Sequence, residues 1–220
     1  MFRPLGKLGS SVRQDQSSRQ FREFERDQVP TFSNYSGGRK VKLNREGVLD
    51  GAIQVASANC DERPDGEAVS LVVIHSISLP PGKFGGDAIE RLFTNTLDYA
   101  AHPYFWTLRD LRVSAHFLIR RAGDIVQFVP CGKRAWHAGT SCYAGREGCN
   151  DFSVGIELEG TEDIAYTDPQ YEALTALMGA LLGRYPITDV VAHSDIAPGR
   201  KTDPGPSFDW ERLRVAPHRG

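Results

Sequence analysis

Residues 70–78 read "SLVVIHSIS". Leu71, Val72, Val73 and Ile74 form a continuous apolar run of strand length, rich in β-branched side chains, and Pro80 stops it. The pattern predicts a buried strand. His75 stands at its end, just before the chain turns at "LPPGKFGG" (79–86).

Outward from this strand, "DAIERLFTN" (87–95) fits a short helix, and "LRVSAHFLIRRAGDIVQFVP" (111–130) reads as two β-rich runs joined across "RAGD". "FSVGIELEG" (152–160) predicts a further strand that ends in carboxylates. "TDPQYEALTALMGALLGRYP" (167–186) is a helix: Thr167 can cap it, Gln170 holds the capping-box position, and Pro169 suits the first turn. Tyr171, Leu174, Leu177, Met178, Leu181 and Leu182 line one helical face, which reads as core, and Gly183 with Pro186 ends the element. A short strand, "TDVVAH" (188–193), then delivers His193 to the proline-rich loop "HSDIAPGRKTDPGP" (193–206). Strands and helices interleave, so the expected class is α/β, a single domain with a central mixed β-sheet flanked by helices.

Residues 1–47 hold ten Lys/Arg against five Asp/Glu, which leaves 16 against 23 in the remainder. Rich in Arg, Gln and Ser and without a steady period, they read as a flexible basic N-terminal extension. A mitochondrial-type presequence and an arm that docks on an anionic membrane surface are its rival readings. The folded domain is expected over 48–215, with 216–220 as a tail. A net charge of −2 argues against nucleic acid as a partner. No stretch approaches the ~18 apolar residues of a membrane span, and no signal-peptide core is present, so stable membrane insertion is not expected. The chain is read as a cytoplasmic monomer with its four cysteines reduced. No C-x-x-C pair occurs, which argues against a cysteine-based zinc finger.

Six histidines carry the candidate chemistry. His75 and His193 each end a predicted strand, and Asp203 follows His193 by ten residues inside a proline-stiffened loop. If the strands are neighbours, two imidazoles and one carboxylate could share a zinc ion and leave a fourth position for water. The alternative, histidines that are simply hydrogen-bonded structural residues, stays open on spacing alone. Glu157 and Glu159, two apart on a strand, face one side; Glu159 reads as a salt-bridged carboxylate. His116 reads as a buried structural residue, and His102 and His218 as surface. Asp195 could orient an imidazole or close a local turn.

"VVIHSISLPPGKFGG", "LRVSAHFLIRRAGDIVQFVP", "KRAWHAG", "CNDFSVGIELEG" and "AHSDIAPGRKTDPGPSFDW" occur in this order between about Cys60 and Trp210. Together they resemble the N-acetylmuramoyl-L-alanine amidases of cell-wall recycling, in the family that includes phage T7 lysozyme and the peptidoglycan recognition proteins. The resemblance implies that domain's fold, one Zn2+ ion held by His75, His193 and Asp203, and catalytic roles for Glu157 and Lys201. It implies hydrolysis of the bond between N-acetylmuramic acid, in the 1,6-anhydro form, and the L-alanine of a stem peptide, so the expected partner is a muropeptide. Arg112 matches a substrate-binding position in these enzymes, and a guanidinium suits stem-peptide carboxylates. Trp136 and His137 are expected to line the cleft as an aromatic platform. An arginine belongs just before "CND" in this family; Gly148 stands there, and Arg146 is the expected substitute. Relatives that lost a metal ligand only bind peptidoglycan fragments, and such a binding module is the alternative reading.

Overall fold

Polar alternation is missing from residues 71–74 because both faces of their strand are covered: all four are at most 1% exposed. The computed structural model describes residues 41–213; expectations for residues 1–40 and 214–220, His218 included, lie outside the described residues. Ten strands are present among them: β1 (Ile53–Gln54), β2 (Cys60–Glu62), β3 (Leu71–Ile77), β4 (Phe117–Ile119), β5 (Ile125–Gln127), β6 (Lys133–Ala135), β7 (Cys142–Tyr143), β8 (Arg146–Glu147), β9 (Ser153–Glu159) and β10 (Asp189–Ala192). Six form one sheet in the order β1-β5-β4-β9-β3-β10. Its pairs are parallel except for β4 with β5, so the expected mixed sheet is present.

Helix α1 (Ala88–Phe93) packs through Ile89, Leu92 and Phe93 beside Leu118 and Val126. Helix α2 (Asp168–Leu182) packs Tyr171, Leu174, Leu177, Met178 and Leu181 against Val72, Ile74, Val154, Ile156 and Leu158. Its capping box is complete: the Thr167 hydroxyl oxygen accepts from the Gln170 N–H and the Gln170 side chain accepts from the Thr167 N–H. The Thr167 hydroxyl also donates to the Arg121 carbonyl at 2.7 Å, tying the helix start to the β4–β5 turn. Thr167→Ala is expected to cost about 1 kcal/mol, which a thermal melt would read as a fall of roughly 2–4 °C.

Three local readings change. The hairpin exists, but its paired strands cover only Phe117–Ile119 and Ile125–Gln127; His116 still bonds to Gly155 and Phe128, whereas the Ser114 N–H turns to the Trp136 carbonyl. Gly183 keeps a right-handed φ of −70°, so α2 stops without a left-handed glycine. Residues His193–Ile196, read as loop, form a short helix, α3. Packing also begins before residue 48: Val41 and Leu43 lie against the core, and the Gly47 carbonyl accepts from the Cys131 N–H.

Candidate metal centre and active site

The period-2 alternation of the sheet assembles the site. On β3, Val72 and Ile74 face α2, so Leu71, Val73 and His75 face the opposite side. On β9, Val154, Ile156 and Leu158 face α2, which leaves Gly155, Glu157 and Glu159 on that opposite side. The parallel register pairs His75 with Glu157. Strand β10 pairs Val191 with Val73 and Ala192 with Ile74, so the next residue, His193, arrives beside His75. Two imidazoles and a carboxyl from three adjacent strands therefore share one end and one face of the sheet.

Asp203 completes the group from the loop. Its backbone carbonyl accepts from the Ser194 N–H at 3.1 Å, pinning the loop to α3. Nδ1 of His75 lies 2.9 Å from Nδ1 of His193, and Asp203 Oδ2 lies 3.4 Å and 3.1 Å from those two atoms. These residues form a group that can hold a metal ion. His193 Nε2 faces the Ala138 carbonyl at 3.3 Å, which can only accept, so the ring proton sits on Nε2 and Nδ1 presents a lone pair. Burial pushes His75 down to about 4, keeping a neutral imidazole in this position.

Glu157 is buried, and its Oε2 has no hydrogen-bond partner among the described residues. Burial and then the Asp203 charge push its carboxyl well above the usual value, while Lys201 pulls the other way. The Lys201 charge also reaches His75. An unpaired buried carboxyl beside a cluster of lone pairs is costly without a role that uses it.

Of the remaining predicted site residues, His137 stands differently from the platform expected of it. It is 8% exposed, and its Nδ1 lies 2.9 Å from His75 Nε2, the ring nitrogen that faces away from Asp203. The physical reason is Gly155, whose missing side chain lets the imidazole lie against β9: a Cβ there would come 2.4 Å from His137 Cγ. Trp136 is half-buried, and with Arg134, the larger influence, its indole lowers the Asp61 carboxyl. Arg112 is exposed and donates to the Arg109 and Leu111 carbonyls. Arg146 pairs with Glu67 at 2.7 Å and stacks on Phe152. The partners of Arg112 and Arg146 belong to surrounding loops.

Glu159 accepts from Arg120 and from the Gly85 and Arg121 N–H groups, as its salt-bridged reading expects. Asp195 takes the local option and accepts from the Ala192 N–H. His102 caps a turn by accepting from the Tyr104 N–H. The four cysteines are free.

His116 is fully buried and structural. Its Nδ1 accepts from the Gly155 N–H, so Nε2 carries the proton and donates to the Lys133 carbonyl. Arg63 Nη2, 3.2 Å from Nε2, is then a close donor and not a hydrogen-bond partner. Burial and then the Arg63 charge lower His116 to about 3. Because the folded value lies below the unfolded one of ~6.5, only the unfolded chain binds this proton between them. This contribution is whole above pH ~6.5 and falls by about 3 kcal/mol by pH 4. Urea midpoints should drop over that window, and less steeply in His116→Asn, which keeps an acceptor for Gly155. Equal slopes in the two proteins refute this.

Sequence reasoning missed Arg63. Its partly buried guanidinium donates to the carbonyls of Cys131, Asn150, Asp151 and Ser153, holding the start of β9. In "DERPDG" it reads as one more loop charge, and no local signal separates it. Tyr166, whose hydroxyl donates to the Pro204 carbonyl beside Asp203, was likewise not singled out.

A family model described as N-acetylmuramoyl-L-alanine amidase matches residues 65–206. The 1,6-anhydro-N-acetylmuramyl-L-alanine amidase AmpD of Citrobacter freundii is 61% identical over 172 residues, covering 77% of this chain and 92% of its own. AmpD of Escherichia coli K12 is 59% identical over 175 residues, covering 79% and 96%. A crystal structure of an AmpD selenomethionine derivative matches with a TM-score of 0.76 at 61% identity, over 78% of this chain and 97% of that one. Drosophila peptidoglycan recognition protein SA, at 19% identity and a TM-score of 0.51 over 74% and 86% of the two chains, shares the fold.

Proposed function

The chain belongs to the N-acetylmuramoyl-L-alanine amidase family and is a hydrolase of the amide that joins N-acetylmuramic acid to L-alanine, and on that premise we propose that its substrate is a soluble 1,6-anhydro muropeptide cut with the help of one zinc ion. The observation that carries this reading is the convergence of His75 Nδ1, His193 Nδ1 and Asp203 Oδ2 beside the unpaired Glu157. Tetrahedral coordination with bonds of about 2.0–2.1 Å puts ligand atoms roughly 3.3 Å apart. The separations of 2.9, 3.1 and 3.4 Å suit it. Two imidazoles and a carboxylate are also a donor set that catalytic zinc uses, with a position left for water.

When bound, the ion supplies Lewis acidity, which acidifies water and draws electrons from an amide carbonyl. Glu157 takes a proton from the attacking water as the C–O bond forms, then delivers it to the nitrogen of L-alanine as the C–N bond breaks. Its raised affinity for protons suits both halves of that task. Lys201 places positive charge where the carbonyl oxygen becomes anionic. The products are the lactyl carboxylate of the sugar and the free amine of the peptide. Arg112 and Arg146 are suited to stem-peptide carboxylates, Arg146 once it exchanges Glu67 for substrate. Trp136 offers a partly exposed indole to the sugar or peptide.

Among the described residues no helix is long and apolar enough to cross a membrane. We place the enzyme in the cytoplasm as a monomer, where released muropeptides are soluble. The test is mass-spectrometric product analysis with anhydro and reducing-end muropeptides side by side, before and after chelation. The expected result is faster release of the L-alanyl peptide from the anhydro substrate, lost on chelation and restored by zinc. A cut elsewhere, or turnover indifferent to chelation, overturns the reading.

A further inference from the structure

Behind His75 runs a chain of hydrogen bonds that ends on an atom with no choice. His75 Nε2 lies 2.9 Å from His137 Nδ1, His137 Nε2 lies 3.1 Å from Ser153 Oγ, and Ser153 Oγ lies 2.5 Å from the Cys149 carbonyl. A carbonyl oxygen only accepts, so the Ser153 hydroxyl proton must point to Cys149. The Ser153 oxygen then accepts, and His137 must carry its proton on Nε2. His137 Nδ1 is left with a lone pair, which His75 meets with a proton on Nε2. With its ring proton placed on Nε2, His75 turns Nδ1 toward His193 and Asp203.

From this we infer that Ser153 and His137 are positioning residues that lock His75 in the one tautomer able to bind metal, with the Cys149 carbonyl as the fixed end of the relay. The inference rests on the metal-site reading above and explains features that reading leaves unused. Asn150 Oδ1 accepts from the backbone N–H groups of His137 and Ala138, clamping both carriers of the two imidazoles' outer partners. Arg63 holds the Ser153 carbonyl at 2.8 Å. Gly155 leaves the gap that the His137 ring fills. Without the relay, His75 could place its proton on Nδ1, which an incoming cation would have to displace.

The test reads the tautomer and the metal separately. In the metal-free protein, two-bond 1H–15N NMR of the imidazoles should show His75 protonated on Nε2. Ser153→Ala and His137→Phe should populate the Nδ1-protonated form and weaken zinc, measured by chelator competition, by about 10–100-fold. His137→Asn keeps an amide acceptor near the position of Nδ1 and should recover most of that loss. Melting curves verify that each variant is folded, and Ser153→Ala removes one buried oxygen only. A wild-type His75 protonated on Nδ1 overturns the inference. So do variants that bind zinc as tightly as wild type, or Asn and Phe variants weakened equally with the tautomer unmoved. Wild-type protein that takes up no zinc, with the tautomer as derived, instead removes the metal-site reading.

Discussion

His193→Ala is expected to lower zinc affinity by about 10²-fold or more and to abolish turnover at ordinary zinc concentrations. His193 supplies one of three protein ligands, and its Nδ1 is 2.9 Å and 3.1 Å from the other two. Apparent binding free energies of roughly 10–16 kcal/mol for four-ligand zinc sites correspond to about 3 kcal/mol per ligand. At about 1.4 kcal/mol per tenfold, that is a factor of roughly 10². Chelator competition measures the affinity and release of the L-alanyl peptide measures the activity. The same change removes a nearly buried ring at the head of α3, so a melting curve should accompany both. A folded variant that holds zinc stoichiometrically and still turns over would remove His193 from the site.

Glu157→Gln should separate chemistry from metal binding. General acid–base catalysis contributes typically 10²–10⁴-fold, so kcat should fall by about that factor while zinc content stays at one ion per chain. Glutamine keeps the volume and removes the proton acceptor. Burial and the Asp203 charge already disfavour the Glu157 carboxylate, and Oε2 is buried without a partner, so the metal-free variant should also melt higher than wild type. A loss of activity below about tenfold would assign the proton transfers elsewhere. Zinc lost together with activity would make Glu157 a support of the metal site rather than its base.

These expectations differ in how much of them local sequence could supply. Helix α2 is legible because its cap, its apolar stripe and its terminating Pro186 lie within 20 residues. His193 is legible as a strand-end residue, since an apolar β-branched run precedes it; His75 follows such a run too, but β3 continues two residues past it to Ile77. Gly155 carried a usable signal, because glycine inside a strand often marks close approach of another group. What approaches it was not readable: the His137 ring comes from a separate strand, β6, and its loop. Arg63 gave no signal, since its partners are backbone carbonyls scattered over residues 131–153.

The sequence by itself determined the long central strands β3, β9 and β10 and the helices α1 and α2 and, through the two-residue period, which side chains of one strand share a face. It also held every chemical group the site uses. Only the tertiary structure decided that β3 lies between β9 and β10 in parallel register, and so that His75 meets Glu157 on one side and His193 on the other. Likewise it turned His137 from a wall of the cleft into the partner of His75. The reason is physical: periodicity and capping are set by neighbours along the chain, whereas strand order, register and the direction of a buried hydrogen bond depend on groups that meet only after folding.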